Sequence, residues 1–163
     1  GTIGYHCEVH GAPGTGMFGT ITVANTSPPP ITLGGFLSGN WYDPAQSGHG
    51  FQLEFTSSQN TFVGIWFVYA PDGSGPYWIY SQGTFDPDSD SVTVPAFLLG
   101  GAAFPPNFNP ADVTTTEWGT MTFTFSDCTH GAMSWESVLP EYGSGSMPLT
   151  RLTQIAGTQC PEQ

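Results

Sequence analysis

Basic residues are almost absent from this sequence. Only one of its 163 residues is Lys or Arg, whereas 13 are Asp or Glu, and the formal net charge is −12. A chain with that charge repels the phosphates of nucleic acids and of anionic lipid headgroups, so neither partner is expected. Long apolar runs are also missing, because no stretch approaches the roughly 20 residues that a membrane-spanning helix needs.

No segment of the sequence has the apolar spacing of an amphipathic helix. Short alternating segments separated by turn residues are typical of an all-β chain. Eight strands are predicted near residues 36–42, 49–56, 61–70, 77–85, 91–99, 118–126, 131–138 and 146–153. Eight strands suit an antiparallel up-and-down barrel, just wide enough for side chains or one small ligand. The proline-rich stretch 100–112 is predicted as a long loop of the kind that forms a lid or a binding loop.

A Gly-x-Trp motif opens the strand region, at Gly39-Asn40-Trp41, and Arg151 lies on the last predicted strand. Together with the run of short strands between them, these residues resemble the signature of the calycins, which include lipocalins, fatty-acid-binding proteins and avidins. The resemblance covers residues 34–160 and implies that Trp41 plugs one end of a barrel with Arg151 across its indole. A guanidinium can stack on indole while its N–H groups bond backbone carbonyls.

The sequence has only three cysteines, an odd number: Cys7, Cys128 and Cys160. Cys128 and Cys160 both fall within the predicted barrel domain, 34–163. A disulfide between them would contribute about 3–4 kcal/mol in the chain-entropy model; the alternative is two free thiols. The lack of Lys, the Gly, Ser and Thr content and this disulfide favour a periplasmic or extracellular protein.

Residues 1–24 carry a second pattern, Tyr5-x-Cys7-x2-His10-x6-Met17-x-Gly19, followed by Ile21-x-Val23. It resembles the C-terminal copper loop of plastocyanin-type cupredoxins. A thiolate and an imidazole on one tight loop give two copper ligands, and Met adds a weak axial one. That family takes its other His from a strand far upstream, so Cys7, His10 and Met17 would form an incomplete site.

Three interpretations of residues 1–24 stay open. They are the cupredoxin-like remnant of a longer protein, or part of a copper site completed by a partner chain, or an added strand with an accidental likeness. The run Thr26-Ser27-Pro28-Pro29-Pro30 favours an extended linker, predicted at 25–33, because proline cannot continue a sheet ladder. A terminal strand, a linker and a barrel are therefore expected.

Alternation sorts the strands into faces. Apolar residues share one face of the second, sixth and seventh predicted strands: Phe51, Leu53, Phe55, Met121, Phe123, Phe125, Met133 and Trp135. Polar residues share the opposite faces: Gln52, Glu54, Ser134 and Glu136. If the polar faces point inward, they form a polar site in an aromatic cup; if they point to solvent, the interior is packed. The first alternative gives these ligand-binding candidates: Trp66, Tyr80, Trp135, Gln52 and Glu136.

The third predicted strand, from Phe62 to Tyr69, is apolar on both faces. Its outer face should therefore be covered by a neighbouring element, by residues 1–24 or by another copy of the chain. Association of copies through aromatic faces or through residues 1–24 is one expectation that follows.

Three carboxylates alternate in the turn Asp86-Pro87-Asp88-Ser89-Asp90. Oxygen ligands at such positions wrap Ca²⁺ in the first half of an EF-hand loop. The chain has Ser91 where that loop needs Gly and Phe97 where it needs Glu. Asp86, Asp88 and Asp90 thus predict at most a partial calcium site, and the alternative is a solvated acidic turn.

Two histidines of the barrel, His49 and His130, adjoin glycines at strand ends. Either would suit a general base oriented by Asp43, Glu54 or Asp127, which makes His49, His130 and Glu54 the catalytic candidates. The alternative is a structural role. No nucleophile elbow, zinc-protease motif or phosphate-binding loop occurs in a fitting context.

The sequence favours an exported barrel that binds a small, partly hydrophobic ligand. The first alternative is a Ca²⁺-assisted hydrolase of a small ester or lactone, with an apolar cup holding the acyl chain. Others are a copper-handling protein that uses the N-terminal loop, or an adhesive β-domain.

Overall fold

The computed structural model describes residues 2–22 and 31–161. Over these residues the chain divides into two units, an N-terminal hairpin and a C-terminal barrel. The predicted proline-rich linker falls largely on residues 23–30, outside the described residues. Among the described residues, no helix has the length and apolarity required to cross a membrane.

The N-terminal unit consists of two antiparallel strands, β1 (Thr2–Ala12) and β2 (Thr15–Thr22). The pairing shifts between His6 and Gly11, which marks an irregularity in β1. A single terminal strand was expected, whereas the structure has a hairpin in which the segment carrying Cys7 and His10 is itself a strand. The reversal is possible because Gly14, at φ 80°, supplies the left-handed conformation that a tight turn requires.

The C-terminal unit is a closed barrel of eight strands, as the alternation predicted. Its strands are β3 (Gly39–Tyr42), β4 (Gly50–Phe55), β5 (Thr61–Tyr69), β6 (Pro76–Thr84), β7 (Ser91–Gly100), β8 (Thr114–Phe125), β9 (His130–Ser137) and β10 (Ser144–Arg151). Each strand pairs with the next, and β10 closes onto β3 through Arg151↔Trp41 and Thr150↔Tyr42. The described helical content is limited to short 3₁₀ turns at Gly35–Leu37, Pro44–Gln46 and Pro110–Asp112.

The lumen of the barrel is packed with aromatic and aliphatic side chains. Phe51 on β4 contacts Phe123 on β8 across the lumen, with ring centroids 5.4 Å apart. Phe62 on β5 lies 5.3 Å from the same ring, and Phe55 lies 5.7 Å from Phe125. Because rings from opposite walls meet, no ligand has room along the middle of the barrel. The apolar faces therefore point inward, and the polar faces point to solvent.

One end of the barrel is closed by Trp41, which is 1% exposed. Its indole N–H donates to the carbonyl of Leu37 at 2.9 Å, and its ring lies 5.1 Å from that of Phe125. The guanidinium of Arg151 lies 5.6 Å from the indole centroid. The arrangement of Trp41 and Arg151 implied by the calycin resemblance is therefore present in the barrel.

A disulfide joins Cys128, at the start of the β8–β9 turn, to Cys160 in the C-terminal tail. The prediction of this bond is confirmed. The bond attaches the tail to the closed end of the barrel. At the same end, the carbonyl of Cys128 accepts a hydrogen bond from Arg151 at 3.1 Å. Cys7 is a free thiol in the hairpin unit.

Candidate ligand-binding site

The end of the barrel opposite Trp41 carries a cavity of about 160 Å³. The loops 43–49, 70–75, 101–113 and 138–143 all lie at this end. We call the cavity the aromatic cup and define it by six of its lining residues: Trp66, Tyr77, Trp118, Trp135, Glu141 and Tyr142. It is shallow, because the lumen beneath it is filled by the packed rings of the core.

The rings of the aromatic cup stand at steep angles to one another. Trp66 lies 6.1 Å from Trp118 at 86° and 5.5 Å from Trp135 at 59°. Tyr142 lies 5.6 Å from Trp118 at 73° and 6.2 Å from Tyr77 at 76°. Edge-to-face pairs at such separations are favourable, so the walls support one another before any ligand arrives.

Trp118 reaches the cup through a β-bulge. Ala96 pairs with Gly119 and Phe97 pairs with Glu117, so Trp118 is the extra residue on β8. Gly119 has φ 144°, and a Cβ there would lie 2.1 Å from the carbonyl oxygen of Glu136. Only glycine fits, and the bulge turns the neighbouring indole into the barrel although simple alternation from Met121 would place it outside.

The indole nitrogen of Trp118 is buried and has no hydrogen-bond partner among the described residues. An unmade bond at a buried donor costs about 1–3 kcal/mol. The backbone carbonyl of Trp118 is better satisfied, because it accepts from the hydroxyl of Ser137 at 2.6 Å and from the amide of Val138 at 2.9 Å.

Trp135 forms a wall of the cup at the edge between β9 and β10. Its indole N–H donates to the carbonyl of Tyr142 at 3.3 Å. Gly145 lies directly against the ring, since a Cβ there would come within 2.5 Å of it. The missing side chain leaves room for the indole against β10, and the ring is partly buried at the rim.

The cup is electronegative. Glu141 lines it, and both Glu141 and Asp72 act through space on the hydroxyl of Tyr77. Burial, the neighbouring hydroxyl of Tyr142 and these carboxylates raise the pKa of Tyr77 well above its ordinary value. Arg151, the one Lys or Arg in the sequence, lies at the closed end.

His49 supports the cup through a hydrogen bond to Trp66 and is not one of the lining residues. The indole N–H of Trp66 donates to its Nδ1 at 3.2 Å. Because an indole nitrogen only donates, Nδ1 of His49 must be the acceptor, which leaves the other ring nitrogen to carry the proton. This histidine, a catalytic candidate from the sequence, thus orients Trp66.

The other catalytic candidates lie elsewhere. His130 begins β9 at the closed end, where it contacts Asp127 at 3.0 Å. Partial burial opposes ionisation of Asp127, but hydrogen bonds from Thr129 and His130 lower its pKa to about 2. Glu54 is exposed on the outer face of β4. The structure therefore does not bring His49, His130 and Glu54 together.

Two of the five ligand-binding candidates, Trp66 and Trp135, lie in the cup. The other three point outward: Gln52, Tyr80 and Glu136. Their orientation follows from packing, because the inner faces of β4 and β9 carry buried apolar residues and that of β6 carries buried Ile79 and Ser81. Trp118, Tyr77 and Tyr142 were not among the candidates. Tyr77 lies two residues from Ile79 on β6, so alternation could have predicted that it points inward. Tyr142 lies in a loop, where alternation makes no prediction.

The metal-binding candidates do not form carboxylate or thiolate clusters. No group of three His, Cys, Asp or Glu side chains within residues 2–22 and 31–161 is arranged to hold a metal ion. Asp86 instead accepts a bond from the amide of Asp88 at 3.0 Å. In the hairpin, Sγ of Cys7 lies 3.8 Å from Nδ1 of His10. Copper binding with Met17 stays a prediction.

An aromatic stripe runs along the outside of β5 and β6. Phe67 pairs with Trp78, and these side chains are 49% and 46% exposed. Tyr69, farther along β5, is 55% exposed. Cover of the outer face of β5 and association of copies through this stripe stay predictions.

Comparison with models of protein families, with curated proteins and with solved structures gave no match. The calycin-like and cupredoxin-like resemblances therefore rest on the quoted residues and, for the barrel, on its geometry.

Proposed function

We propose that this protein binds a small, partly hydrophobic molecule in the aromatic cup. The observation that carries the proposal is the cavity itself, in which six aromatic residues line one space of about 160 Å³ at the open end of an otherwise packed barrel. Apolar walls with few polar groups are typical of small-molecule sites. Drug-sized ligands occupy pockets of about 300–1,000 Å³, so a part of the ligand rather than the whole would enter the cup.

Trp118 supports this function because its indole N–H, which has no acceptor among the described residues, belongs to a ring that lines the cup. A phenyl ring at this position would fill much of the same space without a buried, unpartnered N–H. Trp135 differs from Trp118 in that its N–H is bonded, and its partly buried ring packs against Gly145 at the rim of the cup. Export to the periplasm or the extracellular space is part of the proposal, and the disulfide between Cys128 and Cys160 supports it.

Intrinsic fluorescence tests the proposal, because three of the cup's rings are indoles. We would titrate the full chain with fatty acids, acyl lactones, short esters, small amines and alcohols, biotin and sugars. A saturable response to at least one compound is expected. Trp135→Ala should weaken that binding at least tenfold, since one wall is lost. The matched control is Trp78→Ala, which removes an indole from the outer stripe and should leave binding unchanged. No response across the panel, or equal losses in both variants, would refute the proposal.

A hydrolytic function is not favoured by any observed arrangement. Nδ1 of His49 is engaged by Trp66, and His130 lies at the other end of the barrel. The copper and calcium functions likewise stay predictions from the sequence.

A further inference from the structure

We infer that the ligand of the aromatic cup carries a small organic cation, such as a trimethylammonium head. This inference rests on the proposed binding function and names the chemical class of ligand. It follows from three properties of the cup: its aromatic lining, the charge around it and its size.

The cup is lined by rings of different orientation. Trp66, Trp118 and Trp135 all line the cavity, and Trp66 stands at 86° to Trp118 and at 59° to Trp135. Tyr77 and Tyr142 extend the wall. The face of an aromatic ring carries negative electrostatic potential, and indole is the strongest of these surfaces. A cation enclosed by several such faces is attracted by all of them.

The charge around the cup has one sign. Glu141 lies on its lining, and Asp72 is near enough to influence Tyr77. The only guanidinium of the chain, that of Arg151, lies at the closed end, and the net charge of the sequence is −12. An anionic ligand would find no counter-charge at this end and would be repelled, whereas a cation is attracted during approach and after binding.

The size of the cup suits a head group. A volume of about 160 Å³ corresponds to on the order of five water molecules in the liquid. A nitrogen carrying methyl groups fills such a space, and its methyl groups match the apolar walls. The rest of the ligand would extend past Glu141 toward solvent.

Charge can be separated from shape by a pair of probes. Choline and 3,3-dimethyl-1-butanol have nearly the same shape, but only choline is charged. We would titrate each into the full chain and follow tryptophan fluorescence and heat. Choline should bind roughly tenfold more tightly or better, because cation–π attraction is lost in the neutral probe. Raising the salt concentration should weaken choline binding and leave the neutral probe unaffected.

A matched pair of variants tests the contribution of the carboxylate. Glu141→Gln should weaken choline binding several-fold and leave 3,3-dimethyl-1-butanol unchanged. Glu136→Gln, on the outer face of β9, removes the same charge away from the cup and should have little effect.

The outcomes also separate this inference from the proposed function. Equal affinities for the two probes overturn the cation inference but leave a neutral ligand for the cup. Binding of neither probe overturns it as well, and the fluorescence panel then decides separately whether the cup binds anything.

Discussion

The guanidinium carbon of Arg151 lies 5.6 Å from the centroid of the Trp41 indole. Its N–H groups donate to four backbone carbonyls, those of Phe36, Ser38, Cys128 and Thr153. One side chain on the last strand thus ties together the segment before β3, the β8–β9 turn and the C-terminal tail. Partial burial lowers the pKa of Arg151, but a guanidinium remains charged in proteins.

We expect Arg151→Lys to destabilise the barrel by roughly 2–3 kcal/mol, because a lysine keeps the charge but cannot reach four carbonyls with a planar fork. Urea unfolding followed by fluorescence measures the change. Leu152→Ala is a neighbouring control at a side chain that is 63% exposed, and it should stay within about 0.5 kcal/mol of the parent. Equal stability of Arg151→Lys and the parent would show that the fork contributes nothing.

The bulge on β8 gives a second prediction. Gly119→Ala should cost roughly 3 kcal/mol or more, because a Cβ would meet the carbonyl of Glu136 at 2.1 Å in a conformation that already disfavours side chains. Release of that contact would rotate Trp118, so the near-ultraviolet dichroism of the packed indoles should also fall.

A control for Gly119→Ala distinguishes backbone strain from a steric clash of the added Cβ. Gly73 in the β5–β6 turn has φ 74° and open space around its Cβ position. Gly73→Ala should therefore cost only about 1–2 kcal/mol, the ordinary penalty of a left-handed residue. A Gly119→Ala variant as stable as Gly73→Ala would mean that the bulge is not needed to hold the indole.

The sequence predicted much of the fold because alternation and turn residues mark each strand. The pairing of Trp41 with Arg151 was implied by the resemblance to the calycins. Alternation shows which residues share a face but not which face is inside, so Gln52 and Glu136 stayed candidates until the packing was known. Trp118 could not be placed, since a one-residue bulge reverses the face of every residue beyond it.

The disulfide gives a third prediction. It joins positions separated by 32 residues, so reduction should lower the free energy of unfolding by about 3–4 kcal/mol. We would compare melting with and without reductant in a Cys7→Ser background, which excludes exchange with the free thiol. The double variant Cys128→Ala/Cys160→Ala should melt like the reduced protein and ignore reductant. Unchanged melting on reduction would argue against a stabilising role for the bond.

Acid should destabilise the β8–β9 turn through Asp127. Its pKa in the folded protein is lowered to about 2 from the ordinary 3.8. A lowered pKa means that the folded state favours the carboxylate, so the stabilisation is complete above the ordinary value and is lost as pH falls through about 2. The carboxylate accepts from the amide of Thr129 at 2.6 Å and from the amide of His130 at 2.8 Å.

Asp127→Ala should therefore cost about 1 kcal/mol at neutral pH, a modest value because water reaches the carboxylate. The parent and the variant should converge in stability between about pH 4 and pH 2 as the carboxylate is protonated. Thermal melts across that range measure the effect, with Asp88→Ala in the exposed β6–β7 turn as the matched control. A constant difference between parent and Asp127→Ala down to pH 2 would show that the turn is held by something other than this ionised side chain.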